Sequence, residues 1–545
     1  MSSLPRLLTG AWVILSQFSI SQFYGYSAVT LAENLQKRPN TLPKVSIVVY
    51  GRVASQGATS LSITEPPYEV AFERIKGDLG DHFDLRYVQT SAFPCLSALP
   101  TNASNADDLA WWYNQRQEAD HTFVFITPGG SGLLCDANDA SVHAMADNWN
   151  TLAFNTVSGL EIPARTAPFS TSLSLTSVGA AAYVSNALTL AARYQWESIF
   201  ILLDESSVPA FRALALALDK GLRRMSLAKV QFYRIRSTPS SRFHLKQTLW
   251  TFGNASRVMF YYGHATQLRL LLITAAAYNM IGEHYVYVAT EMMPAPSLYG
   301  NLSWFNGDED DEEARRAFQS LLILQPLDVA SQQTNRTGSD KGELLAEFRK
   351  RSQRKYNTTY APGNDLATVL LDSYVAVLLI GQILHETLEE RQDLSDGRRL
   401  ADRFLNRTFH IADFGDVFVD EKGQRKDSHA VAYYDVVSDV RQIFLVEYAS
   451  SPGAMSAVNG PIPWTRGAWP LISRPSCGYR GDTCPATGSP GLWTGATIGG
   501  CMGIGFCAVV LLRWIKHRIS EMEPCWILQQ HLRFRDENHP SNDSF

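Results

Sequence analysis

Residues Leu492–Leu512 read LWTGATIGGCMGIGFCAVVLL and hold no charged side chain. As a helix rising ~1.5 Å per residue the stretch would span roughly 31 Å, close to the ~30 Å hydrocarbon core of a bilayer. Trp493 stands at its leading edge, where an indole favours the headgroup layer. Arg513, Lys516, His517 and Arg518 follow it at once, and a basic flank marks the cytoplasmic side. The stretch is expected to cross a membrane once. A buried core helix is the other reading of the same apolarity. If it crosses, what precedes it lies outside the cell, and the tail 513–545 lies inside.

The first residues agree with that topology. Arg6 precedes the apolar run Leu7–Ile20, and the small residues Gly25 and Ser27 suit a cut before Ala28, the pattern of a secretory signal; a retained signal anchor is the alternative. The expected product is a single-pass plasma-membrane protein with its N-terminus extracellular. Its parts are a signal peptide 1–27, an ectodomain 44–475, a stalk 476–491, the span and the tail. Six N-x-[ST] sequons fall in the ectodomain, at Asn102, Asn254, Asn301, Asn335, Asn357 and Asn406, so a glycosylated surface is expected. Asn542 fits the pattern on the wrong side of the membrane. A net charge of −5 with both signs mixed leaves no nucleic-acid footprint. Of seven cysteines, Cys95, Cys135, Cys477 and Cys484 lie outside, Cys501 and Cys507 in the span and Cys525 in the tail. Cys477 and Cys484 are close enough in sequence for easy closure in an oxidising compartment.

The ectodomain alternates between two hydrophobic periods. Lys44–Gly51, Asp84–Gln89, His121–Thr127, Leu152–Asn155, Ser198–Asp204, Lys229–Ile235, Arg257–Tyr262, Tyr285–Thr290 and Phe318–Leu324 read as strands, several of them continuously apolar. Helices are predicted at Pro67–Leu79, Ala106–Gln117, Ala140–Trp149, Ser177–Tyr194, Val208–Met225, Ala265–Met280, Glu343–Tyr356 and Asp365–Leu388. Such β–α alternation implies parallel sheets covered by helices on both faces, and two runs of it imply two α/β lobes. Phe409–Asp420, Ala430–Val436 and Gln442–Tyr448 read as antiparallel hairpins. The acidic run Asp308–Glu313 is expected to be solvated, because Gly307 precedes its acids and an EF-hand needs the reverse order.

Enzymatic signatures are missing from the pattern. The sequence holds no G-K-[ST] phosphate loop, H-E-x-x-H or C-x-x-C. Gly129–Gly132 is GGSG, not G-x-S-x-G, so Ser131 lacks a nucleophile elbow. The twelve histidines are scattered without metal-ligand spacing. The 33 residues after the span are too few for a kinase-like or cyclase domain, so no cyclase activity is expected of these residues.

Several stretches come in a recognisable order. Leu190–Ile201 (LAARYQWESIFI), Arg257–Tyr287, Trp304–Phe318 (WFNGDEDDEEARRAF), Asp372–Leu388, Phe409–Asp427 (FHIADFGDVFVDEKGQRKD) and Cys477–Cys484 (CGYRGDTC) resemble the ligand-binding ectodomains of natriuretic-peptide receptors and receptor guanylate cyclases. The resemblance implies a bilobed type I periplasmic-binding-protein fold whose chain crosses between lobes three times. One lobe would hold 44–165 with 300–390, the other 166–299 with 391–475. It also pairs Cys95 with Cys135 and Cys477 with Cys484; two free buried thiols remain the alternative for the first pair. Some members bind a structural chloride, for which Ser91 and Cys135 match while Leu134 stands in place of the expected Gly. No other cofactor and no metal is implied.

Since α/β sheets bind ligands at the carboxyl ends of their strands, Thr127, Gly129, Gly130, Ser131, Phe169, Ser170, Tyr262 and His264 are the candidate cleft residues; purely structural loops are the alternative at each. Gly495, Gly499 and Gly503 share one face of the span and would let two helices approach, which suits the family's homodimers. The expected function is a dimeric receptor for an extracellular ligand, a peptide by family resemblance, with a small molecule still open. A clearance or decoy protein without signalling, and a truncated form of a receptor cyclase, are the alternatives.

Overall fold

The computed structural model describes residues 42–51, 58–89, 121–128, 139–157, 170–177, 179–225, 229–237, 242–327, 338–360, 364–411, 414–435, 440–458 and 505–517, with a few single positions between them. The chain forms two compact units, Met1–Pro475 and Ser476–Phe545.

The larger unit is built on two sheets. In the first, β1 (Lys44–Val49), β2 (Asp84–Gln89), β3 (His121–Thr127), β4 (Leu152–Asn155) and β5 (Ser172–Ser174) run parallel in the order β2-β1-β3-β4-β5. In the second, β6 (Ser198–Asp204), β7 (Lys229–Ile235), β8 (Val258–Tyr262), β9 (Val286–Thr290) and β10 (Leu321–Pro326) form a parallel block ordered β10-β9-β8-β6-β7. A small antiparallel sheet of β11 (Arg407–Ile411), β12 (Gly415–Val419) and β13 (Arg425–Lys426) stands apart. The second sheet is completed by antiparallel β14 (His429–Tyr434), β15 (Arg441–Glu447) and β16 (Met455–Ala457) on the outer side of β10. The segment 300–390 was assigned from sequence to one lobe with 44–165. The pairing of β10 with β9 instead places Leu321–Pro326 in the second sheet.

The inner strands of both sheets are buried on two faces, which is why β1, β6, β8 and β9 read as nearly unbroken apolar runs, while the outer β2 and β7 do not. Along β6, Ile199, Ile201 and Leu203 point to one face while Phe200 and Leu202 point to the other. The first set joins an apolar cluster that also contains Val45, Ile47 and Val49 of β1. Helix Ala367–Glu389 lies in that cluster. It is the one helix among the described residues long and apolar enough to cross a membrane, yet 72% of its apolar window is buried in the protein. It packs on helix Leu61–Leu79, where a Cβ at Gly381 would come within 2.7 Å of Ile75 Cγ2, so glycine sets the closeness of the pair.

Helix Leu61–Leu79 starts two turns earlier than Pro66 and Pro67 suggest. Ser60 caps it, its hydroxyl accepting from the Ser62 amide at 3.3 Å. Pro66 cannot donate to the carbonyl four residues back, and that Ser62 carbonyl is taken instead by the buried hydroxyl of Ser352, from helix Gly338–Tyr356. A borrowed donor thus lets proline sit inside a helix.

The acidic run is not merely solvated. Arg269 of helix Ala265–Ala277 holds Asp308 (2.6 and 2.9 Å) and Asp311 (2.8 Å), and its Nε donates to the Trp304 carbonyl at 3.0 Å. Asp311 also accepts from the amides of Asn306 and Gly307 at 2.8 Å each, closing a turn in which Gly307 takes φ +77°. Arg269 is the first cause that holds the Asp308 carboxyl down at about 2. Asp311→Ala removes the acceptor that closes this turn and one arm of the arginine clamp. It should cost about 1–2 kcal/mol, read as a lower urea midpoint with an unchanged slope.

In the smaller unit residues 505–517 are helical and exposed throughout, with Phe506 at 73% and Leu512 at 65%. The rest of the expected span lies outside the described residues. Cys507 is a free, exposed thiol.

Candidate functional site

The carboxyl edge of the second sheet is tied by backbone to the approach of a helix that shares the first sheet's apolar cluster. After β9 the chain runs through Pro294, whose carbonyl accepts from the Asp365 amide at 2.6 Å. Asn364 adds two bonds to Ser297, one to its amide (3.2 Å) and one to its hydroxyl (2.6 Å). Asp365 caps the approach to helix Ala367–Glu389, its Oδ1 accepting from the Ala367 amide at 2.9 Å. The end of the second sheet is therefore fixed to a helix that packs with the first. On the second-sheet side a depression is lined by Tyr261, Gly263, Thr290, Glu291, Met293 and Tyr299. Glu291 is ion-paired with Arg441. The depression has room for about one water.

Behind this edge sits a buried ionic cluster where the chain passes between the sheets. Asp372, on helix Ala367–Glu389, is 2% exposed, and Arg425, on β13, is 13% exposed. Arg425 Nη1 donates to Asp372 Oδ1 at 2.6 Å, and Nη2 to Asp427 Oδ1 at 2.9 Å. The other Asp372 oxygen accepts from the amide (2.7 Å) and the hydroxyl of Ser177, which follows β5 on the way to the second sheet. A bridge between Ser174 and Gln424 and a bond from the Ser174 amide to the Gly423 carbonyl (2.8 Å) tie the same two strands of chain together. Burial raises the Asp372 carboxyl to about 6 against the pull of Arg425, so it is ionised at neutral pH. Both of its oxygens are occupied. The cluster holds these segments in register. Next to it His429 meets Tyr183 edge-on at 5.0 Å, and Tyr183 donates to the Met292 carbonyl at 3.0 Å, which links the cluster to the depression.

The candidate cleft residues do not all converge. Thr127 ends β3 but is fully buried. Its hydroxyl donates to the Phe154 carbonyl (3.3 Å) and pairs with His143 Nε2 (3.1 Å). Ser170 lies at the opposite edge. In the parallel register Thr127 is level with Asn155 and Ser174, and Ser170 precedes Ser174 by four residues, roughly 13 Å along a strand. It bonds through its amide to Asp147 (2.8 Å) and receives Arg398 Nε at 3.0 Å. Tyr262 is buried, with its hydroxyl bonded to Thr290 and its ionisation pushed up by burial. His264 caps helix Ala265–Ala277, Nδ1 accepting from the Thr266 amide at 3.4 Å, and burial pulls its pKa down. Among the described members of this set, Tyr262 and His264 come close together. Gly129, Gly130, Ser131 and Phe169 lie outside the described residues. So do Ser91, Cys95, Cys135, Cys484, Asn102, Asn335, Gly495, Gly499 and Gly503. Asn301, Asn357 and Asn406 are exposed and Asn254 is half-buried.

Two mainly parallel sheets, one tied at its carboxyl edge to a helix packed with the other, form the kind of frame in which α/β proteins bind ligands. The profile of the receptor family ligand binding region matches residues 131–433. That is more than half of the chain, and the chain belongs to this family. It is similar to human atrial natriuretic peptide receptor 3, 26% identical over 275 residues that cover 49% of this chain and 48% of the relative. It is also similar to receptor-type guanylate cyclase gcy-28 of Caenorhabditis elegans, 24% identical over 272 residues, 48% of this chain and 20% of the relative. Rat atrial natriuretic peptide receptor 2 is 24% identical over 236 residues, 42% and 21%. The aligned part spans about half the length of the first of these relatives and a fifth of the other two, and the region matched is the ligand-binding one.

Proposed function

We propose that this chain is a single-pass cell-surface receptor. Its bilobed ectodomain, of the type I periplasmic-binding-protein kind and paired as a homodimer, binds an extracellular peptide. The observation that carries the reading is the end of the second sheet fixed to a helix packed with the first, with Pro294 and Ser297 bonded to Asp365 and Asn364, in a chain of the receptor ligand-binding family. The names of the relatives point to natriuretic-type peptides. The exposed apolar helix 505–517, which runs into Arg513, Lys516 and His517, supports the membrane span, since leaving such side chains in water forgoes ~25 cal/mol per Å². The signal peptide 1–27, the glycans and the pairs Cys95–Cys135 and Cys477–Cys484 belong to the same proposal. It assigns binding, with no catalytic residue.

The test is thermal melting of the full chain in lipid nanodiscs against a panel of secreted peptides and small metabolites, with the mass read by light scattering. A ligand that binds only the folded state raises the midpoint by mass action, about 2.7 kcal/mol at a hundred times its Kd. The expected hit is a peptide bound by a dimer. A panel in which only metabolites shift the midpoint, on a monomer, overturns the peptide-receptor reading.

A further inference from the structure

Helix Arg242–Gly253 buries Leu245, Leu249 and Phe252 against the second sheet. Trp250 points the other way and is 68% exposed, a large indole with water over most of its surface. Four residues on, in the sequon Asn254-Ala255-Ser256, the Asn254 amide still bonds the Trp250 carbonyl at 3.2 Å. Helical geometry therefore persists, and the two side chains share one face. The Asn254 side chain confirms the direction, because Nδ2 itself donates to the Trp250 carbonyl at 2.9 Å. The atom that would carry a sugar thus starts at the backbone of Trp250, on the face of the helix that the indole shares. One turn earlier on the same face, Lys246 lies 5.2 Å over the ring of Tyr278, which is 47% exposed, so the aromatic surface continues.

We infer that Asn254 carries an N-linked glycan whose first sugar lies on the indole of Trp250. Nδ2 forms the bond to the anomeric carbon of a lipid-diphosphate-linked oligosaccharide, the bond from that carbon to the diphosphate breaks, and one amide proton leaves. The second N–H remains and keeps its bond to the Trp250 carbonyl. The apolar face of the sugar covers the indole, and helical register sets the distance. The inference rests on the extracellular reading, and the other sequons separate the two.

The experiment expresses the full chain in a eukaryotic secretory host and reads occupancy by glycopeptide mass spectrometry. Melting midpoints are then measured for the wild type, Trp250→Ala, Asn254→Gln and the double variant. Alanine is the better helix former, so an indole with no cover should be replaced at no cost. Under the inference Trp250→Ala lowers the midpoint by roughly 1–3 °C in glycosylated protein and not at all in the Asn254→Gln background. Trimming the glycan to one sugar keeps the effect, and enzymatic removal from the folded wild type abolishes it without a substitution. Occupancy at Asn301, Asn357 or Asn406 with Asn254 bare overturns this inference alone. A chain unmodified at every sequon overturns the extracellular reading with it. Equal effects of Trp250→Ala with and without the glycan, or a change in mass by light scattering, assign the indole to a protein contact and overturn the inference too.

Discussion

Arg425→Met is expected to destabilise the larger unit by about 3–5 kcal/mol, because it strands a buried carboxylate. Asp372 is 2% exposed and loses Arg425, its one cationic partner among the described residues, while Ser177 continues to satisfy one oxygen. Arg425→Lys keeps the charge but cannot reach Asp372 and Asp427 with two separate nitrogens of a planar fork, so it should recover only part of the loss. Combining Arg425→Met with Asp372→Leu removes both charges and should be milder than Arg425→Met alone, since replacing a whole buried pair by apolar groups is often close to neutral. Denaturant unfolding of the four proteins checks the order. A double variant as unstable as Arg425→Met would show that the cost lies in lost packing, not in the stranded charge.

The second large effect is hidden in the wild type by cancellation. Glu65 on helix Leu61–Leu79 is fully buried. It is held by Lys355 at 2.8 Å and Tyr87 at 3.4 Å, with Glu69 sharing the lysine at 2.6 Å. Burial outweighs the lysine and raises the Glu65 carboxyl to about 7. Its folded pKa exceeds the unfolded one, so its contribution is fully present below about 4.5 and is lost as pH rises through 7. His143 does the opposite. Buried between Thr127 and Ser172, it is depressed to about 4 by desolvation. Its contribution is full above about 6.5 and is lost as pH falls through 4. Each is worth about 3 kcal/mol, with opposite slopes between pH 4.5 and 6.5. Asp372, raised to about 6, adds to the Glu65 side. Relative to wild type, Glu65→Gln should gain about 3 kcal/mol as pH goes from 4.5 to 8, and His143→Gln should lose a similar amount between pH 4 and 6.5. Urea midpoints across that range read both. Profiles parallel to wild type would mean that the two groups titrate in the fold as they do in water.

Much of the architecture is legible in residues such as Ser198–Asp204, where seven consecutive buried positions leave only a strand between two helical layers. What escapes depends on partners distant in sequence. Pro66 and Pro67 argue for a helix start because the donor that rescues the Ser62 carbonyl lies 290 residues away. Helix Arg242–Gly253 was not foreseen, since three apolar contacts among polar neighbours make a weak period. The acids at Asp308 and Asp311 look like a solvated face until Arg269, 39 residues upstream of Asp308, closes on them. The membership of β10 is a matter of which edge was free, and no local pattern encodes it. At the candidate site the strand ends were legible, but Thr127 and Tyr262 face inward and Ser170 sits at the wrong edge. Asp372 reads as one acid in an apolar helix, and Arg425 waits 53 residues further on.

Helix Ala367–Glu389 shares an apolar cluster with Val45, Ile47 and Val49 of β1 and with Val124 and Ile126 of β3. During synthesis it leaves the ribosome more than two hundred residues after β3, a wait of roughly 15–50 s at ~5–20 residues per second. Until then the nascent first sheet shows a greasy face and unpaired edges to its surroundings. The interleaved chain path makes this half of the protein a late folder despite its early place in the sequence. A holding chaperone would find its natural client in the interval between β3 and that helix.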